Sequence, residues 1–228
     1  MLRYVIEFFS DDILLKGRFI LTKRYWLILI AYIIAQLAVV IIAPILFFLT
    51  PLNEFESGIY GNILSFIIGL IVILYLLRDE MKQARHVRDA ADTGQIIIWS
   101  IVGVFMAYTA QAIAVAIEMN ILGIKTTSEN TELLMDITRS IPLFIIITVL
   151  IAPILEEIVF RKIIFGELYK RFNFFISGVI SALIFGIIHQ EPTHLLIYAS
   201  MGFVLAFLYV KTKRIIVPII VHMVLNSV

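Results

Sequence analysis

The chain has 228 residues, 61% of them hydrophobic and 15% charged, with a formal net charge of +1 and no cysteine. A mean hydropathy of +1.03 excludes a water-soluble domain and defines an integral, multi-pass membrane protein. The near-neutral charge leaves no basic field for nucleic acid, and the lack of cysteine removes disulfides, thiolate zinc sites and cysteine nucleophiles together.

Residues 1–24 mix Arg3, Glu7, Asp11, Asp12, Lys16 and Arg18 with apolar residues. That is the pattern of a cytosolic, partly amphipathic arm lying on the membrane surface, not of a signal peptide, so the first span is an uncleaved anchor. Seven apolar runs then predict an all-α transmembrane bundle, with helices near 25–49, 59–77, 95–117, 141–165, 174–190, 193–210 and 215–228. Pro44 is placed to kink the first. Residues 78–94 read as a charged connector, in which His86 is a solvated surface residue. Residues 118–139, from Glu118 to Arg139, read as a second connector, polar and net acidic. The chain thus divides into the arm 1–24, three helices and their loops over 25–138, and a core over 139–228 that carries the chemistry.

Basic residues set the orientation. Of 18 Lys and Arg, Arg161 lies inside an apolar run, 15 fall on the loops of one face, and only Lys125 and Arg139 fall on the other. The positive-inside rule then places the N-terminus in the cytosol. The last run offers only 14 residues to Val228, against the roughly 20 a span needs, so helix seven ends within the bilayer or the natural chain continues.

Three charges interrupt the run from Ile141 to Phe165: Glu156, Glu157 and Arg161. Each costs roughly 2.5–3.5 kcal/mol at the centre of a membrane helix, so together they need a purpose. Glu157 and Arg161 stand at i and i+4 with the acid first, the favourable order for an ion pair. Glu156 lies about 100° round the helix from Glu157 and is poorly served by the same arginine. One carboxylate is therefore neutralised and one is available as a general base. Pro153 leaves the carbonyl of Val149 without its usual donor and invites a kink. An antiparallel pairing of the fourth and fifth helices about a turn near Phe172 and Asn173 brings His189 to the depth of Glu157. In the last helix His222 and Asn226 share a face at i and i+4. His194 follows Pro192 beside the polar Gln190-Glu191 turn and reads as an interfacial residue, a supporting partner or a ligand.

Two chemistries fit. A glutamate assisted by histidine activates water while a second histidine and an asparagine stabilise an oxyanion, or two histidines and a glutamate hold a divalent metal. H-E-x-x-H and G-x-S-x-G are both absent, and Ser177, Ser181 and Ser200 lack a nucleophile elbow. No aspartate lies in an apolar span, which excludes an intramembrane aspartyl pair.

Glu156-Glu157-x-x-x-Arg161, Phe185-x-x-x-His189 and His222-x-x-x-Asn226, in this order, resemble the motif set of the CPBP intramembrane proteases. That family holds the CAAX prenyl endopeptidases of the Ras-converting type and the bacterial Abi proteins. Gly202, Tyr209, Lys211-Thr212 and Ile219 fit the run into its last motif, and the likeness covers roughly residues 141–228. The resemblance implies Glu156 and His189 as the water-activating pair, His222 and Asn226 as the oxyanion pair, and Glu157 with Arg161 as their support. It implies no cofactor; the alternative is a zinc-like ion on Glu156, His189 and His222. The expected protein is an intramembrane endopeptidase that cleaves a peptide or membrane-protein substrate near the cytosolic membrane face. In a bacterium the expected roles are pheromone or bacteriocin maturation, or immunity. Its partners are that substrate and the lipid bilayer, not nucleic acid; its oligomeric state is not legible. The rival readings are a non-catalytic membrane scaffold and a proton- or metal-coupled transporter.

Overall fold

The computed structural model describes residues 21–83, 89–124 and 128–227, with only the backbone of Gln83 and Glu129. Most of the predicted N-terminal arm, together with His86 and Lys125, lies outside the described residues. Each of the seven apolar runs is helical. Helices α1 (Lys23–Leu37) and α2 (Val39–Leu49) form one bent element, followed by α3 (Glu54–Gln83) and α4 (Thr93–Asn120). A short α5 (Glu129–Ser140) precedes the 28-residue helical span α6 (Pro142–Tyr169), then α7 (Phe174–Ile188), α8 (Leu195–Thr212) and α9 (Ile216–Leu225). Among the described residues four helices are singly long and apolar enough to cross a membrane, and the bent α1–α2 pair makes a fifth. At 15 and 10 residues, α7 and α9 fall short of the roughly 20 residues of a full span.

Polar residues start these helices where the apolar runs begin. Thr22, Ser128 and Asn173 accept from the backbone N–H three residues on, and Asp92 forms a reciprocal capping box with Gln95. The bend of 41° between α1 and α2 falls at Ala38, not at the predicted Pro44, which continues inside α2. Its cause is a side chain inserted into the helical ladder: the Ser65 hydroxyl of α3 donates to the carbonyl of Ala35. Gly69 makes the approach possible, since a Cβ there would lie 2.5 Å from that of Ala35.

Helix α5 was read from sequence as connector because it is too short and polar to span. It is amphipathic, and Leu134 and Ile137 pack against the core. Glu118, assigned to the same connector, is instead buried in the last turn of α4.

The core that carries the motifs is α6 to α9, with α4 packed against α8 and α9. Helices α7 and α8 sit close because a Cβ on Gly202 would already be 3.2 Å from Ala182 Cα. At one end of the bundle Glu80 of α3 ties three elements together. It lies 2.8 Å from Lys162 Nζ and 3.6 Å from Arg24 Nη1, and it accepts from the Tyr25 hydroxyl at 3.2 Å. Arg24 and Lys162, two basic residues of the collar expected from sequence, thus meet at that end, and Lys170 follows Lys162 by eight residues at the α6–α7 turn.

Candidate active site

Helix α6 is not a uniform α-helix. Two π-helical stretches, Ile146–Ile151 and Ile158–Phe165, flank a short α-helical segment, Ala152–Glu157, that ends on the two glutamates. Such widened turns commonly mark functional sites. They also correct the expectation for Pro153. In the widened register Ala152 N–H donates to the carbonyl of Ile147, five residues back. The carbonyl that Pro153 cannot serve is then that of Thr148, not Val149. Asn226 at the end of α9 fills the gap, its Nδ2 donating to Thr148 O at 3.0 Å.

The charged residues form a continuous buried chain. Arg161 Nε lies 3.0 Å from Glu157 Oε2, with side chains 1% and 0% exposed. The contact is poorly aligned for a hydrogen bond, and both Nη groups of Arg161 are buried without a hydrogen-bond partner among the described residues. The guanidinium is carried instead by the face of Phe185, 4.5 Å from the ring centre. Glu157 Oε1 accepts from His222 Nδ1 at 2.8 Å. A carboxylate only accepts, so Nδ1 carries the hydrogen and Nε2 faces outward from the pair. Nε2 stands 3.6 Å from Oε2 of Glu156, whose side chain is 15% exposed. That separation is an ion-pair contact too long for a direct hydrogen bond.

Phe185 is the hub of this chain. Its ring meets Phe160 at 5.1 Å, His189 at 4.5 Å and His222 at 5.9 Å between centroids. The carbonyl of Phe185 accepts from His189 Nδ1 at 2.8 Å, which fixes the hydrogen on Nδ1 and leaves a lone pair on Nε2. The structure thus joins Glu156, Glu157, Arg161 and His222 by direct contact. It brings His189 in through Phe185, and Asn226 through Thr148. His222 also bridges both glutamates. The alternative cage of Glu156, His189 and His222 is not assembled for a metal: among the described residues no three His, Asp or Glu side chains converge for one.

A second buried acid–histidine pair escaped the sequence reading. Glu118 accepts from His194 Nδ1 at 2.9 Å and from the Ile197 N–H at 3.3 Å, and both side chains are buried. The only signal was an acid at the edge of an apolar run, which reads equally well as loop. Glu191 was likewise taken as turn. Although partial burial works the other way, bonds from the Asn130 N–H and the Ser128 and Tyr198 hydroxyls hold its carboxyl below the usual carboxylate range.

Glutamates and histidines buried together on a broken apolar helix mark a candidate functional centre. The family described as type II CAAX prenyl endopeptidase Rce1-like matches residues 138–228, and the chain belongs to that family of membrane proteases. It is 43% identical over 212 residues to "Putative membrane peptidase YdiL" of Bacillus subtilis (strain 168), covering 90% of this chain and 87% of that one. It is 33% identical over 218 residues to "Membrane-embedded CAAX protease MroQ" of Staphylococcus aureus (strain USA300), again covering 90% and 87%. No solved structure matches.

Proposed function

We propose that the protein hydrolyses a peptide bond in a peptide or membrane-protein substrate at membrane depth, with Glu156 as general base. The observation that carries this is the buried chain Arg161–Glu157–His222–Glu156. Oε2 of Glu156 and Nε2 of His222 face each other across 3.6 Å, which puts the base and an oxyanion donor side by side.

Water then loses a proton to Glu156 and its oxygen attacks the scissile carbonyl, while the Nε2 lone pair of His189 accepts from the remaining O–H. His222, protonated on Nε2, donates to the oxyanion. Asn226 has two amide hydrogens. One anchors it to Thr148 and the other is available to the same oxyanion. Glu156 passes its proton to the departing amine, so atoms and charge balance with no cofactor.

The position of the glutamates supports cleavage toward the cytosolic face. Lys162, which meets Glu80 in the basic collar, lies only six residues beyond Glu156 in α6, about 9 Å along the helix axis, short of the midplane of a roughly 30 Å hydrocarbon core. With the collar in the cytosol, Glu156 lies nearer that face than the opposite one.

The test is purified full chain in liposomes with a randomised mixture of quenched-fluorescent decapeptides. Glu156→Gln should lower turnover by about 10²–10⁴-fold with an unchanged yield of folded protein. Full activity of Glu156→Gln would remove Glu156 from this role.

A further inference from the structure

His189 follows the last residue of α7, where its Nδ1 bonds the Phe185 carbonyl and one side of its ring meets the tilted Phe185 ring at 4.5 Å between centroids. A further restraint comes from α8. The ring of Tyr198 stacks on that of His189 with centroids 4.2 Å apart and planes 25° from parallel. Tyr198 is itself anchored, its hydroxyl donating to Glu191 Oε2 at 2.7 Å. Glu191 is in turn fixed from a third element. The Ser128 hydroxyl reaches Oε2 at 2.6 Å and the Asn130 N–H reaches Oε1 at 2.7 Å, so the carboxylate sits on the first turn of α5. Gln190, between His189 and Glu191, takes a left-handed φ of 58°, which turns the chain back sharply enough for both contacts.

We infer that Tyr198 is a positioning residue for His189, its ring holding the imidazole plane and its hydroxyl tied through Glu191 to the start of α5. The inference rests on the proposed role of His189 in orienting the attacking water. A leucine at 198 would also pack between α7 and α8, but it would present neither a ring to the imidazole nor a hydroxyl to Glu191. The clamped ring fixes the direction of the Nε2 lone pair. Misplacing a catalytic group by about 1 Å can cost up to about 10²-fold in rate.

The test compares Tyr198→Leu, Tyr198→Phe and His189→Ala with the wild type, as full chains in liposomes with the same peptide mixture. Tyr198→Leu should lower kcat by about 10–10²-fold at a KM within about twofold of wild type. Tyr198→Phe keeps the stacked ring and loses only the hydroxyl, so it should fall between the two. Histidine-¹⁵N NMR gives a readout independent of cleavage. Wild-type His189 should show the Nδ1–H tautomer alone, and Tyr198→Leu an average of both tautomers. If Tyr198→Leu fails to fold, Tyr198→Phe decides: a lowered kcat at unchanged KM supports the clamp. Wild-type kcat together with wild-type His189 signals in either folded variant would overturn it. Full cleavage by His189→Ala would instead overturn the role of His189, while the tautomer comparison still tests the clamp.

Discussion

At the scale of single residues, the two adjacent glutamates divide their work by what each touches. Glu157 is fully buried and holds two partners at once, Arg161 and His222. Glu156 is partly open and meets only the far nitrogen of His222 among the described side chains in ion-pair range. Glu157→Gln should therefore act through folding more than through chemistry. Removing one member of a buried ion pair costs about 3–5 kcal/mol because the other is left uncompensated, and here Arg161 already has two Nη groups without a hydrogen-bond partner among the described residues. Thermal unfolding in detergent should show a lower midpoint for Glu157→Gln than for Glu156→Gln. Equal midpoints would mean that the Glu157–Arg161 contact contributes little.

At the scale of elements, the site depends on a helix that is allowed to be irregular and on two helices that are allowed to be close. The widened turns of α6 shift which carbonyl Pro153 orphans, and Asn226 of α9 closes that gap from outside. A polar side chain thus pins the end of a short helix that has little length with which to hold itself. The α7–α8 contact is set by Gly202, where a Cβ would crowd Ala182 and come within 3.6 Å of Arg161 Nη2. Gly202→Val should part these helices and strain the guanidinium beneath them, at a cost of about 1–3 kcal/mol. A lowered unfolding midpoint, with turnover reduced in the protein that remains folded, is the expected result. A wild-type midpoint would show that α8 can move without cost.

At the scale of the whole molecule, the ionic cluster and the glutamates share one stretch of α6. Arg24, Lys162 and Glu80 interlock at one end of the bundle, and Lys162 follows Glu156 by six residues. In this cysteine-free chain, a single cysteine at Thr193 should react with an impermeant thiol reagent in intact cells, and one at Lys213 should be shielded. The reverse pattern would invert the topology. Much of this was legible in one dimension. Hydropathy located all seven apolar runs, because the bilayer imposes one requirement on every spanning residue. The i, i+4 spacing of Glu157 and Arg161 specified their contact, which persists although the turn between them is widened. The three motifs were found because their spacing is local to single helices. What the sequence could not decide was how groups from different helices meet. The bridge from His222 to both glutamates, the bond from Asn226 to Thr148, the burial of Glu118 against His194 and the stacking of Tyr198 on His189 all join helices. Each depends on a crossing angle, a widened turn or a missing Cβ that repacks several ångströms away, and no local rule of spacing encodes those.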